Sequence, residues 1–435
     1  MHLTDMRRDE VLHFPCPNPL PHHLIPSHMN LLFVSHRRDV SGAEICTQRI
    51  VERIKDHPIL VVLPEGAFAD RLRQAGIAVE IETGLTKMAR SEDAFSLLRL
   101  AGRFPRVVQA LRRIIRTFDA DLVISNALGP LPYAGPAARL AGVPNICIHY
   151  HPVLQSGTSD AKLVFFLAKF CDGFIAVSEA MNRGLQISGV PAARIKTIYN
   201  GLDVAEYAPS PNRSHLLRGK FSLDDSVKLI GLVATISEAK GHHIVIEAAR
   251  LLRDEFPAAA PWRVIFVGEV FENSKLGATY QTRLEQQIQK DGLQGRVLFA
   301  GKHKNMREVY LDLDIVLNTS IEPEPLGTTI YEAMAMGKPV IASHLGGSPE
   351  IVDDGRAGFL VPADDSRELA ALLAKILQGR IDLAPIVAAG RARVEAHFDL
   401  RSTVDQYLTH FAACARKARR CPSSVPRQNS RHRQS

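Results

Sequence analysis

Two glutamates eight positions apart, Glu324 and Glu332, frame the stretch NTSIEPEPLGTTIYEAMAMGKPVIAS, residues 318–343. Between them lie Gly327 and the paired threonines Thr328 and Thr329, where the pattern predicts the start of a short helix. A helix start presents unpaired N–H groups and the positive end of the helix dipole, so it is a natural seat for phosphate. Carboxylates have no place on a phosphate. Their chemistry here is to accept hydrogen bonds, most economically from sugar hydroxyls on either side of a diphosphate. A loop charge and a solvated helix residue are the alternative reading at this stage.

Other residues have the types and places that such a ligand needs. Ser41-Gly42-Ala43-Glu44 joins the first predicted strand to the first helix, and Gly42 there lets a ligand approach the backbone. Lys240-Gly241 opens the first helix of the second half, where the dipole disfavours a lysine unless an anion is bound nearby. Gly268 ends another strand, and Gly346-Gly347-Ser348-Pro349-Glu350 follows a third, with Glu350 read as a loop anchor. His149 and His151 end the run NICIHYH and point the same way if the strand continues, so both are candidates for proton transfer or for orienting a hydroxyl. Without a third ligand nearby they do not make a metal site, and none is expected. The tandem pairs His22-His23 and His242-His243 read as surface residues. Cys16, Cys46, Cys147, Cys171, Cys414 and Cys421 lack both metal-site and disulfide-framework spacing, which fits a reduced, cytoplasmic setting.

These residues need a scaffold, and the apolar runs supply one. LLFVS, ILVVL, IAVEI, LVIS, NICIHYH, FIAVS and IKTIY punctuate residues 31–199, and a second series from KLIGLVATI to PVIAS covers 228–343. Helical segments alternate with them, among them a long one at 93–118 with an expected break at Phe104-Pro105. Such alternation predicts doubly wound parallel sheets covered on both faces. At 435 residues two α/β domains are expected, with binding loops at the strand ends facing a central cleft. The boundaries read as an irregular leader at 1–28, a first domain at 29–203, a second at 204–399, a helix at 400–418 and a basic tail at 419–435.

Composition narrows the partners. The net charge of +7 resides in six Arg and one Lys after position 415, so the body of the chain is neutral and nucleic acid is not expected. Residues 13–28 hold five prolines and no apolar core of signal-peptide length, and no run approaches the roughly 20 residues that span a bilayer. Between Ala94 and Phe118 stand six Arg and no acid, beside an apolar stripe of Val107, Val108, Leu111, Ile114, Ile115 and Phe118. That pattern suits either peripheral contact with an anionic membrane or a core-facing helix with a solvated basic face, and the second is preferred.

The motifs SGAE (41–44), CDGFIAVSEA (171–180), GVPAARIKTIYNGLD (189–203), KG (240–241), FVGEV (266–270), EPLGTTIYEAMAMGKPVIAS (324–343) and GGSPEIVDDGRAGFLVPADD (346–365) together resemble the retaining, nucleotide-sugar-dependent glycosyltransferases of group 1, family four. The resemblance runs from about Asn30 to Tyr407 and implies the GT-B fold: two Rossmann-like domains facing a cleft. It implies transfer of a sugar from a nucleoside-diphosphate sugar to a hydroxyl on a glycan or lipid-linked glycan, as in polysaccharide biosynthesis, with neither metal nor separate cofactor. By position, Glu332 would hold the ribose and Glu324 the donor sugar. Gly327, Thr328 and Thr329 would present N–H groups, Lys240 would neutralise the diphosphate, and Gly42 and Gly268 would line the donor site. The active-site histidine falls between His149 and His151, with Tyr150 also in range, and His151 is preferred. A family arginine is replaced by Thr235, which leaves Arg37, Arg38 and Lys275 as candidate second cations. An epimerase of the same fold and a non-catalytic nucleotide-sugar-binding subunit are the rival functions.

Overall fold

Strands buried on both faces have no polar side to show, and this is why they were visible as unbroken apolar runs. The computed structural model describes residues 26, 28–85, 94–150, 157–270 and 275–420. Its first half runs β1 (Leu31–Val34), α1 (Gly42–Arg53), β2 (Ile59–Leu63), α2 (Ala67–Gln74), β3 (Ala78–Ile81), α3 (Ala94–Thr117) and β4 (Leu122–Asn126). It continues with α4 (Leu131–Ala141), β5 (Asn145–His149), α5 (Ser159–Leu167), β6 (Gly173–Ala176), α6 (Glu179–Ile187) and β7 (Ile195–Thr197). These seven strands form one parallel sheet in the order β3-β2-β1-β4-β5-β6-β7.

The second half opens with α7 (Leu216–Phe221), β8 (Lys228–Val233), α8 (His242–Glu255), β9 (Trp262–Val267), α9 (Lys275–Lys290), β10 (Val297–Gly301) and α10 (Met306–Asp312). There follow β11 (Ile315–Asn318), α11 (Thr328–Ala335), β12 (Val340–Ser343), α12 (Ser348–Ile351), β13 (Phe359–Val361), α13 (Ser366–Leu377), α14 (Ala384–His397) and α15 (Leu400–Arg420). Its parallel sheet has the order β10-β9-β8-β11-β12-β13. Each sheet carries an apolar core on both faces. The expected pair of doubly wound parallel sheets is what the chain forms.

The two crossings between the sheets run side by side. Leu202 N–H donates to the Phe398 carbonyl and Leu400 N–H donates to the Leu202 carbonyl, both at 2.9 Å. Beyond them α15 lays Leu400, Val404, Tyr407 and Phe411 into the core beneath the first sheet, with Phe411 edge-on to Phe33 at 6.3 Å between ring centroids. Burying each such aromatic contributes about 1.5–3 kcal/mol, so the last helix ties the two halves together.

Three local expectations are corrected. The long helix α3 is not broken at Phe104-Pro105. Pro105 lies on its exposed face, and Val107, Val108, Leu111 and Ile115 bury the turns that follow, so the lost backbone bond does not end the helix. Within the polar stretch 207–223 lies α7, whose Arg218 is fully buried and paired with Asp312 and with Asp314 at 2.8 Å. His242 is not a surface residue. It is fully buried between Phe266 and Tyr280, and His243 bonds the Tyr280 hydroxyl at 2.7 Å.

Candidate active site

The polar residues gather where strands end. β11 finishes at Asn318, and the chain then turns through Thr319, Ser320 and the two prolines to Gly327, the residue that precedes α11. Two glycines let neighbouring loops close on this turn. A Cβ at Gly241, whose φ is +69°, would stand 2.0 Å from the Thr319 carbonyl oxygen; one at Gly346, φ +61°, would stand 2.4 Å from that of Glu324. Only glycine fits such places. The loops after β8, β11 and β12 are thereby pressed together.

At their meeting point is Glu324. Its carboxylate receives the Lys240 ammonium, the Ser320 hydroxyl and, at 3.1 Å, the Asn318 side-chain amide. Burial alone would push the carboxyl up; the Lys240 charge and these hydrogen bonds outweigh it and hold it below its usual 4.5. Glu324 is therefore an ionised acceptor at neutral pH. Asn318 also reaches the Thr329 hydroxyl at 3.3 Å, tying strand end to helix start. Thr328 and Thr329 form the first turn of α11 and are half-buried.

Glu332, one turn further along α11, is held differently. Its Oε2 accepts from the Tyr310 hydroxyl at 3.0 Å, and its Oε1 accepts from Arg49 Nη2 at 2.7 Å. Arg49 belongs to α1 of the other half and also donates to the Tyr207 hydroxyl at 3.2 Å. Nothing in the sequence marked Arg49, Tyr207 or Tyr310. By contrast, the polar Asn318 and Ser320 at a strand end were a visible signal.

On the facing side, Gly42 is the exposed first residue of α1, with open space where a Cβ would stand. Ser41 N–H donates to Glu44 at 3.1 Å, the reciprocal arm of a capping box, and Arg37 lies 3.8 Å from Glu44. Thr235 follows β8 half-buried, and Gly268 packs so tightly on that loop that a Cβ would meet the Ala234 carbonyl oxygen at 1.9 Å. His149 does not open to the cleft. It is fully buried with its ring edge-on to Phe174, because β5 sits inside the sheet with both faces covered. His151, the preferred histidine, lies outside the described residues, as does the side chain of Lys275. Glu350 anchors more than its own loop: it accepts the Glu179 and Ala180 N–H groups at the start of α6, each at 2.7 Å. Among the described residues no group of three or more His, Cys, Asp or Glu stands close enough to hold a metal ion.

Residues 215–393 match the family Glycosyl transferases group 1, and residues 48–206 match Glycosyltransferase Family 4. HepE of Anabaena, solved with UDP and with UDP-glucose, superposes with a TM-score of 0.75 in both forms. In the UDP form the identity is 29%, over 88% of this chain and 100% of that one. The Mycobacterium tuberculosis GDP-mannose-dependent alpha-(1-6)-phosphatidylinositol monomannoside mannosyltransferase is 28% identical over 79% of this chain and 86% of its own. The amylovoran biosynthesis glycosyltransferase AmsK of Erwinia amylovora is 29% identical over 52% of each chain. With both halves matched and the two parallel sheets in place, the chain belongs to the group 1 (family 4) glycosyltransferases of the GT-B fold.

Proposed function

We propose that the protein transfers a sugar, with retention at the anomeric carbon, from a nucleoside-diphosphate sugar to a hydroxyl acceptor. The observation that carries this reading is the ionised Glu324, buried against Lys240 at the mouth of α11. Lys240 and the helix start supply positive charge to a leaving diphosphate, the role a divalent cation plays elsewhere. Glu324 accepts hydrogen bonds from the sugar being moved and stabilises positive charge at its anomeric carbon. Gly327, Thr328 and Thr329 offer N–H groups to sugar and phosphate, Gly42 and Gly268 admit the diphosphate, and Thr235 donates one hydrogen bond where the family carries a cation. Glu332 takes the ribose hydroxyls; each of its oxygens has one protein partner and keeps a further lone pair. The leaving phosphate accepts the acceptor's proton, so no protein nucleophile is required, and His151 orients the acceptor.

In this reading residues 29–203 bind the acceptor and 204–399 the donor. The UDP-glucose bound by HepE supports a nucleotide-sugar donor, and the phosphatidylinositol monomannoside named for the mycobacterial relative supports a glycan or lipid-linked acceptor. A place at the cytoplasmic face of a membrane is part of the same reading. On the first domain Arg103, Arg106, Arg113 and Arg116 of α3 are exposed. So are Leu163, Phe165 and Phe166 of α5, at 46–54%. α4 packs against both α3 and the turn after α5, which brings the elements that carry these features near one another. No described helix is long and apolar enough to cross a membrane, and this region is read as a peripheral contact.

The test is a thermal-shift screen of UDP-, GDP- and ADP-sugars, then transfer to a lipid-linked acceptor with NMR of the product's anomeric configuration. Stabilisation by one nucleotide sugar and a retained configuration are expected. Conversion of donor without acceptor would instead identify an epimerase, and binding with no turnover on any acceptor a binding subunit.

A further inference from the structure

Arg49 stands on the polar side of α1, two turns along from Gly42, while Cys46, Ile50 and Val51 of the same helix enter the first-domain core. Its guanidinium leaves that domain. Nη2 bonds Glu332 at 2.7 Å and the Tyr207 hydroxyl at 3.2 Å, and the Tyr207 ring centroid lies 5.7 Å from Cζ. The side chains of Arg49 and Glu332 are 18% and 10% exposed, so water screens the pair little. One turn on, Arg53 meets Asp203 at 3.3 Å in a contact about a third exposed, the kind that contributes little.

One feature sets Arg49 apart from a brace of the fold, and a second equips it for a ligand. Arg218, a more deeply buried arginine, closes a network inside one domain, with both Asp312 and Asp314 and two carbonyl oxygens. Arg49 instead bridges two domains through one nitrogen, Nη2, which meets one Glu332 oxygen and the Tyr207 hydroxyl. Its Nη1 is buried with no hydrogen-bond partner among the described residues, an uncommitted donor beside the carboxylate assigned to the ribose.

Resting on the reading of Glu332 as the ribose acceptor, we propose that Arg49 is a positioning residue for the donor. Reaching in from the first domain, it fixes the Glu332 carboxylate and supplies its counter-charge, and Tyr310 holds the second oxygen. One lone pair on each oxygen is left for a ribose hydroxyl. Ribose recognition is then complete only while the two domains keep this arrangement, which couples donor binding to their relative position.

The experiment is titration calorimetry on the full chain with whichever of UDP and GDP binds more tightly, and with its 2′,3′-dideoxy counterpart. The proteins are wild type, Glu332→Gln, Arg49→Met and Arg49→Lys. Hydroxyls bonded to a charged acceptor are worth about 10- to 100-fold each, so wild type should prefer the ribonucleotide by at least about 10-fold. Glu332→Gln and Arg49→Met should each erase most of that preference and leave the dideoxy affinity within about twofold of wild type. Arg49→Lys, which keeps the charge, should retain part of it. A folded Arg49→Met with the full preference overturns the role of Arg49 alone. A wild type without preference, or one that survives Glu332→Gln, overturns the ribose reading beneath it. Should Arg49→Met fail to fold, Arg49→Lys decides: equal loss of both ligands there means a general structural role and overturns the proposal.

Discussion

Glu324 and Glu332 stand on one continuous stretch of chain, yet they are held in opposite ways. Among the described residues the side-chain partners of Glu324 come from its own domain: Lys240 after β8, Asn318 at the end of β11 and Ser320 after it. Glu332 takes one partner from its own domain and the other from α1 of the first. The first carboxylate is therefore held within one half of the molecule, and the contacts that secure its charge do not involve the other. The second depends on where the first domain stands. Under the proposed roles, a site divided in this way would keep its reactive end organised and let its recognition end respond to the cleft.

The largest expected effect breaks the half held within one domain. Glu324→Gln keeps the shape and loses the charge, and should lower the rate of nucleoside diphosphate release in the presence of acceptor by about 10²–10³-fold. The melting temperature should stay close to that of wild type. A variant with full activity would remove Glu324 from the chemistry.

Acid stability comes next, because it must be separated from acid effects on the site. Burial lowers the His242 imidazole from 6.5 to about 4, so the ring is neutral in the fold. Its contribution is fully present above 6.5 and is lost as pH falls toward 4, where the unfolded chain takes up the proton. That loss amounts to about 3 kcal/mol. Urea titrations between pH 7 and 4 should show this slope, and His242→Leu should flatten it.

Glu324 titrates in the other window. Its folded value lies below 4.5, so the stability it lends is present above 4.5 and lost only as pH falls through that lowered value. Activity should thus show no acid limb from Glu324 at pH 5–8. Lys240→Met removes the counter-charge and leaves burial to act, so a limb should move up into the measurable range. A Lys240→Met profile parallel to that of wild type would mean that Lys240 does not secure the Glu324 charge.

Smaller effects belong to the contacts between domains. Glu350→Ala removes a carboxylate from the start of α6 and should cost about 1–2 kcal/mol by chemical denaturation. Glu350→Gln, which keeps one acceptor oxygen and loses the charge and the other, should lose less than Glu350→Ala, and an equal loss would show that the remaining hydrogen bond contributes nothing. Phe165→Ser/Phe166→Ser should reduce co-sedimentation with anionic liposomes several-fold by removing buried apolar area. Unchanged binding would return that surface to ordinary solvent exposure.

Much of this was legible because the fold repeats one physical pattern. β1, β8 and β11 are buried on both faces and read as plain apolar runs, and Glu324, Gly327 and Lys240 stand at ends that such sheets present to a cleft. The rest was hidden for definite reasons. Arg49 and Glu332 are 283 positions apart, and only the arrangement of two separately folded sheets brings them together. The pair His242-His243 looks polar on paper, but the start of α8 turns one ring onto Phe266. α5 was missed because LVFFL departs from the usual helical alternation, its Leu163, Phe165 and Phe166 facing out. His149 and His151 could not be told apart by spacing; burial removes His149 from the open cleft.

The division of labour between the carboxylates is tested most directly by affinities for a nucleotide sugar and for its free nucleoside diphosphate, measured on wild type, Glu324→Gln and Glu332→Gln. Glu324→Gln should weaken only the nucleotide sugar, because its partner is the sugar, whereas Glu332→Gln should weaken both ligands by the same factor. Equal weakening of both ligands by Glu324→Gln would contradict the assignment of that carboxylate to the transferred sugar.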